Sequence, residues 1–249
     1  MDSLRHLEAL RRDSEALLAA ARAADPATAI EDCPGWTPVD LVWHIGEVHW
    51  FWSSIVGDRL PGPGAYVAPE RPDADDEVFA FAERSAHRLD DVLSSTDPST
   101  EVWTWSEPHD AGFVIRRMAH ETAVHRVDAE RAVGRDHRIE PELAADGVDE
   151  FLTHFLRWAA KDAEPIGGSI HLHCGDTAGE WTVTMDDDGG WNVAREHSKG
   201  DTALRGDAHD LLMVLWRRAP LDAVQVFGDR DVTARFVAYT NLSGRRGSG

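Results

Sequence analysis

The sequence predicts an α+β protein of two domains, a bundle of four to five helices followed by a small α/β module with an antiparallel-rich sheet. Two changes in pattern along the chain predict it. Up to about residue 160, apolar residues recur at helical spacing between charged ones. After Glu164-Pro165-Ile166-Gly167-Gly168 the alternation has period two. The length of 249 residues also exceeds the usual single domain. The boundaries read from this pattern are residues 1–163 for the bundle and 164–241 for the module, with a polar, disordered tail at 242–249.

The first helix is predicted over residues 3–24, with Leu4, Leu7, Leu10, Leu17 and Leu18 at helical spacing and Asp25-Pro26 as its stop. A turn, Asp32-Cys33-Pro34-Gly35-Trp36, leads to the second helix, which has Thr37 as N-cap and Pro38 at the first helical position. This helix is apolar nearly all round and ends at Gly57. A Pro/Gly-rich loop over 60–73 precedes a third helix at about 75–93. The fourth runs from about Ala111 to Val133 and is closed by Gly134. The fifth, from Pro141 to about Ala160, carries Leu143, Val148, Phe151, Leu152, Phe155 and Trp158 on its buried side, and is assigned to the bundle.

In the module, 169–173, 181–185 and 191–194 alternate as strands, and Asp187-Asp188-Gly189-Gly190 signals a hairpin between the last two. A helix at about 207–218, a strand at 223–227 and a closing helix at 229–239 complete it.

Composition excludes several classes. The 45 acidic against 25 basic residues give a net charge of −20, which disfavours nucleic acid and anionic membrane surfaces. The only cysteines, Cys33 and Cys174, form neither a disulfide framework nor a CxxC site, and read as reduced thiols. The N-terminus lacks the apolar run of a signal peptide, and no stretch approaches the length of a membrane span. The expectation is a soluble cytoplasmic protein, monomer or homodimer.

The chemistry concentrates in Arg116–Asp128. On a helix, Glu121 and His125 leave the same face one turn apart, with Arg117 four residues before and Asp128 three after. His120 is five residues from His125, so HETAVH is not the paired-histidine helix of a zinc protease. In isolation such a Glu/His pair is usually a solvated surface pair, here a salt bridge along Arg117, Glu121 and His125. A lone histidine such as His44, on the apolar second helix, is usually a core residue satisfied by a backbone group. Together, a carboxylate and two imidazoles on buried helices need partners, and a divalent metal is a shared one. His44, Glu121 and His125 would leave one position open, the catalytic zinc pattern. Asp128 or Arg117 would then support the ligands.

Other candidates have bland alternatives. Trp36, Trp43, Trp50, Trp52, Trp103 and Trp105 would line a ligand pocket or simply pack the core. Cys33 is a reactive thiol or a small residue packing a turn. Arg217 and Arg218 end a helix, where cations are favoured, and one of them is placed to reach an anion.

Four motifs in order, CPGWTPVDLVWHIGEVHWFW, RRMAHETAVHRVDAERAVG, ELAADGVDEFL and GDAHDLLMVLWRR with VQVFGD, resemble the mycothiol-dependent maleylpyruvate isomerase family of actinobacteria. The resemblance covers nearly the whole chain. It implies a DinB-like metal-binding bundle and a C-terminal domain similar to sterol-carrier proteins. It implies a zinc-type site of His44, Glu121 and His125, with mycothiol as the second cofactor. The family's arginine after LLMVLW falls on Arg218, with Arg217 where Gly is often found. Arg218 and Asp128 are the catalytic candidates, and Arg117 and Trp43 the candidates for contact with the thiol cofactor. The implied chemistry is a metal-activated thiolate adding to an electrophilic small molecule, giving cis–trans isomerisation or S-transfer. Two alternatives stand beside it: a hydrolase using metal-activated water with Asp128 as base, and a non-catalytic small-molecule-binding protein.

Overall fold

The computed structural model describes residues 1–135, 137–156, 165–186 and 189–241, and the chain divides into two compact units, Met1–Ile139 and Glu140–Gly249. The predicted tail at 242–249, the predicted domain boundary at 163/164 and residues 187–188 of the hairpin lie outside the described residues.

The first unit contains α1 (Ser3–Ala23), α2 (Pro38–Gly57), α3 (Asp75–Ser95) and α4 (Ala111–Arg131). α1 packs chiefly on α4, and α2 on α3. α1 starts at Asp2, whose side chain accepts the Arg5 N–H, and buries Leu7, Leu10, Leu17 and Leu18; Leu4 of the predicted apolar set faces solvent. α2 starts as the sequence predicts. The Thr37 hydroxyl accepts the Asp40 N–H, and the Asp40 carboxylate accepts the Thr37 N–H at 2.8 Å, so two otherwise orphaned donors are satisfied reciprocally. Gly46 lets α2 approach α3 closely, since a Cβ there would lie 3.0 Å from the Ala82 backbone.

α4 is the most buried helix of the unit and carries charge into it. Its buried Arg126 lies between Glu130 at 2.7 Å and Asp13 of α1 at 3.3 Å. Pairing of this kind is what makes buried charge tolerable.

The second unit opens with α5 (Pro141–Glu150), which continues as a π-helical turn over Phe151–Phe155. β1 (Ile170–Cys174), β2 (Glu180–Met185), β3 (Trp191–Ala194) and β4 (Thr202–Gly206) follow, then α6 (Ala208–Leu215), β5 (Gln225–Gly228) and α7 (Arg230–Tyr239). The sheet order is β3-β2-β1-β4-β5, antiparallel throughout except for the parallel β1–β4 pair. Ile170, Leu172, Val183 and Leu204 are fully buried in the core of this unit, which also takes in α6 and Phe236 of α7.

The structure adds two features. The compact units part at Ile139/Glu140, which puts α5 in the same unit as the sheet. The reason is packing: Asp149 of α5 accepts from the Trp181 indole at 2.9 Å and pairs with Arg195, while Phe151 sits edge-on to Trp216 at 5.0 Å. Helical periodicity shows that α5 has an apolar face but not which core receives it. The second is β4, which the sequence reading leaves as connection. Its residues Thr-Ala-Leu-Arg-Gly have a weak alternation, and the strand exists by pairing between β1 and β5.

α6 ends at Trp216 with Arg217 at φ +63°. The Arg217 N–H bonds the Val214 carbonyl and the Arg218 N–H bonds the Met213 carbonyl, the left-handed C-terminal cap usually built on glycine. Among the described residues, no helix is long and apolar enough to cross a membrane.

Candidate metal centre

α2 and α4 bring His44, Glu121 and His125 together. Glu121 Oε1 lies 3.3 Å from His44 Nε2 and 3.3 Å from His125 Nε2, and the two imidazole rings stand edge-on with centroids 5.0 Å apart. Donors bound about 2.0–2.1 Å from a tetrahedral ion lie about 3.3 Å from each other, so the spacing fits a single divalent metal. The side chains are 29%, 20% and 10% exposed, respectively, so the cluster is accessible from one side.

The remaining atoms of the trio are held. His125 Nδ1 bonds Asp128 Oδ2 at 2.8 Å, leaving Nε2 for the cluster. A carboxylate behind a ligating imidazole fixes its tautomer and orientation. Glu121 Oε2 receives the guanidinium of Arg117, which is buried, so Oε1 alone faces the histidines. The Cys33 thiol donates to Asp128 Oδ2 at 3.6 Å. Asp32 pairs with Arg131 at 2.8 Å, so the turn before α2 is fastened to α4 on two sides. All these α4 positions (117, 121, 125, 128 and 131) recur at helical spacing on one face.

The electrostatics follow from these contacts. Burial opposes the charge on Glu121, but Arg117, His125 and His44 overcome it, and its carboxyl lies well below the usual range. Burial likewise opposes protonation of His125, but Asp128, Cys33 and Glu121 outweigh it and raise its pKa well above the ordinary histidine value. His125 would hold a metal ion through its neutral ring, so ligation there would require loss of that proton.

The other sequence candidates fall as follows. Trp43 packs on Phe81 at 5.1 Å, and the aromatic beside the imidazoles is Trp36, whose ring lies 4.9 Å from His44 and stacks on His125 at 6.4 Å. Asp128 is fully buried and engaged with His125. Arg117 holds Glu121. His49, on another face of α2, is buried and bonds Thr122 at 2.9 Å; burial pushes its pKa down to about 4. His120 is also buried, edge-on to His6 at 5.6 Å. Arg217 donates to the Val237 carbonyl at 3.0 Å, and Arg218 lies beside it in the second unit. The sequence offers Cys33 and Trp36 as candidates but not their contacts with Asp128 and with His44 and His125, because the turn that carries them takes a path only the fold sets.

The family models agree with this division. One described as the mycothiol maleylpyruvate isomerase N-terminal domain matches residues 7–130, and the C-terminal domain model of the same family matches 142–235. Among solved structures, a mycothiol-dependent maleylpyruvate isomerase is 16% identical with a TM-score of 0.57. A histidine-to-alanine variant of such an enzyme is 17% identical with a TM-score of 0.58. Each comparison covers 91% of this chain and 93% of the other, and at such identities speaks for the fold. No curated protein matches the chain at comparable significance. Two adjoining domain models of one family, spanning most of the sequence in order, place the chain in the mycothiol-dependent maleylpyruvate isomerase family.

Proposed function

We propose that this protein is a metal-dependent enzyme that uses mycothiol to act on an electrophilic small molecule, by cis–trans isomerisation or by S-transfer. The observation that carries the reading is the convergence of His44 Nε2 and His125 Nε2 on Glu121 Oε1, each 3.3 Å from it, with the far side of each α4 residue already bonded. His44, Glu121 and His125 would hold a divalent metal, with zinc the simplest occupant for this donor set. When bound, the metal supplies the positive charge that keeps a thiol sulfur as thiolate near neutral pH.

The chain's own residues then have distinct tasks. Asp128 orients His125, and Arg117 commits one oxygen of Glu121. Trp36 covers the imidazoles and limits water on that side. Arg218 takes the anion-binding role implied by the resemblance; the left-handed backbone at Arg217 supports that alignment, since it is a position that favours Gly. The reduced, buried cysteines suit a cytoplasmic setting. The hydrolase alternative is weakened by Asp128, which is buried against His125 instead of facing a water at the open side.

The deciding experiment is calorimetric titration of mycothiol into zinc-loaded protein beside His125→Ala. Saturable binding that disappears in the variant is expected. Zinc-loaded protein giving no heat of binding would overturn the thiol reading. Recovery of the thiol after turnover then separates isomerisation from transfer.

A further inference from the structure

The second unit gathers another set of imidazoles, unrelated to the bundle. Strand alternation puts His171 and His173 on one face of β1, opposite to Ile170, Leu172 and Cys174, which are buried. The antiparallel register sets Glu180 of β2 directly across from His173, and the two bond through Oε1 and Nδ1. The connection from β3 to β4 brings in His197. Its Nδ1 lies 3.1 Å from Glu180 Oε2, and its ring stands edge-on to His171 with centroids 5.2 Å apart. One donor atom each from His171, His173 and Glu180 lies within 4.8 Å of the others.

His171 is the informative member. It is 8% exposed, and its Nε2 is buried with no hydrogen-bond partner among the described residues. Leaving such a group unsatisfied forfeits its hydration without a compensating bond. Glu180 by itself accounts for His173 and His197, as acceptor for both; it does not account for His171. The nearest cation in register, Arg205 opposite His173 on β4, is exposed.

We propose that His171, His173, Glu180 and His197 form a second site for a divalent transition metal, of which Zn2+ is the first to test. Three imidazoles and a carboxylate select zinc, copper or nickel over calcium and magnesium, which prefer oxygen. His171, His173 and Glu180 already converge, and His197, held on the other oxygen of Glu180, is the fourth donor that would complete a tetrahedron, the pattern of a structural ion. Bound there, the ion fastens the β3–β4 connection, which enters the fold through His197, to β1 and β2. It therefore stabilises the second unit and supplies no open position for chemistry.

The test is equilibrium dialysis against Zn2+ with elemental analysis, on the full chain carrying His44→Ala to disable the bundle cluster. About one equivalent per chain is expected to remain. Adding His197→Ala should weaken that binding by more than about tenfold, beyond what loss of an outer-sphere group costs at the low end. His197 is 77% exposed on a connecting segment, so its replacement leaves the fold intact, which circular dichroism checks. Co2+ loading of the His44→Ala chain should give the intense visible bands of a tetrahedral site, and His197→Ala should remove them. A His44→Ala chain that retains no Zn2+, or one whose Zn2+ is held equally well after His197→Ala and His173→Gln, would overturn the proposal. Neither result bears on mycothiol binding at the bundle, which is read separately in unmodified protein.

Discussion

The two imidazole clusters use nearly the same donors in opposite ways. In the bundle, two histidines and one glutamate come from facing helices, one side is accessible, and Asp128 and Arg117 stand behind the donors. On the sheet, three histidines and one glutamate come from two strands and a connection, and the buried His171 Nε2 has no hydrogen-bond partner among the described residues. If both hold metal as proposed, ligand identity alone would say little about role. What separates a reactive site from a structural one is how many positions the protein fills and how firmly the donors are held beforehand.

The largest effect expected is from Glu121→Ala. It removes the carboxylate shared by both bundle histidines and takes one charged hydrogen-bond partner from the buried Arg117, which costs about 1–3 kcal/mol. Chemical denaturation should show the loss together with abolished thiol-dependent turnover, while zinc at the sheet cluster persists. Stability equal to the parent would mean that Arg117 is not committed to Glu121.

Asp128→Asn comes next. It keeps an acceptor for His125 Nδ1 but removes the charge, and should lower zinc affinity at the bundle by about 10–100-fold with the fold retained. A chelator-competition assay measures it. Unchanged affinity would erase the main contrast between the clusters.

Cys174 sharpens the other side of the comparison. It follows His173 on β1 but faces the core, and burial, with Asp176 and Asp207 nearby, pushes its thiol up to about 12. At pH 8 roughly one molecule in ten thousand carries the thiolate, so native alkylation at Cys174 should be negligible and should appear only on unfolding. Rapid labelling of the folded protein, read by mass spectrometry, would mean that Cys174 does not face the core.

The smallest effect concerns delivery of His44. Thr37→Ala removes the cap of α2 and should cost about 1 kcal/mol near neutral pH. Burial opposes ionisation of Asp40, but its bonds to Thr37 and Arg71 prevail and depress its pKa. A carboxyl depressed in the folded state stabilises above its unfolded pKa and loses that contribution as pH falls through the folded value. The gap between parent and variant should therefore narrow below about pH 4. A gap independent of pH would separate Asp40 from the cap.

Local chemistry made much of this legible before the fold was known. The Thr37-Pro38 start of α2, the Glu121/His125 pair one turn apart and the switch from helical to alternating period are short-range features, and the chain keeps them. Glu121 and His125 share a face because helix geometry requires it. Which partners those faces meet is a long-range matter. That His44 reaches Glu121, that Trp36 and not Trp43 lies beside the imidazoles, and that Cys33 touches Asp128 depend on how α2 and its preceding turn pack on α4. α5 joins the sheet because Asp149 and Phe151 find partners there, and β4 exists because two neighbouring strands pair with it. On β1 the sequence places His171 and His173 on one face, but only strand register and a connection between strands add Glu180 and His197. The sequence by itself determined the helices, most strands and the donors each face presents, because period and caps act over a few residues. The tertiary structure alone decided which faces meet, because that is set by packing between segments far apart in the chain.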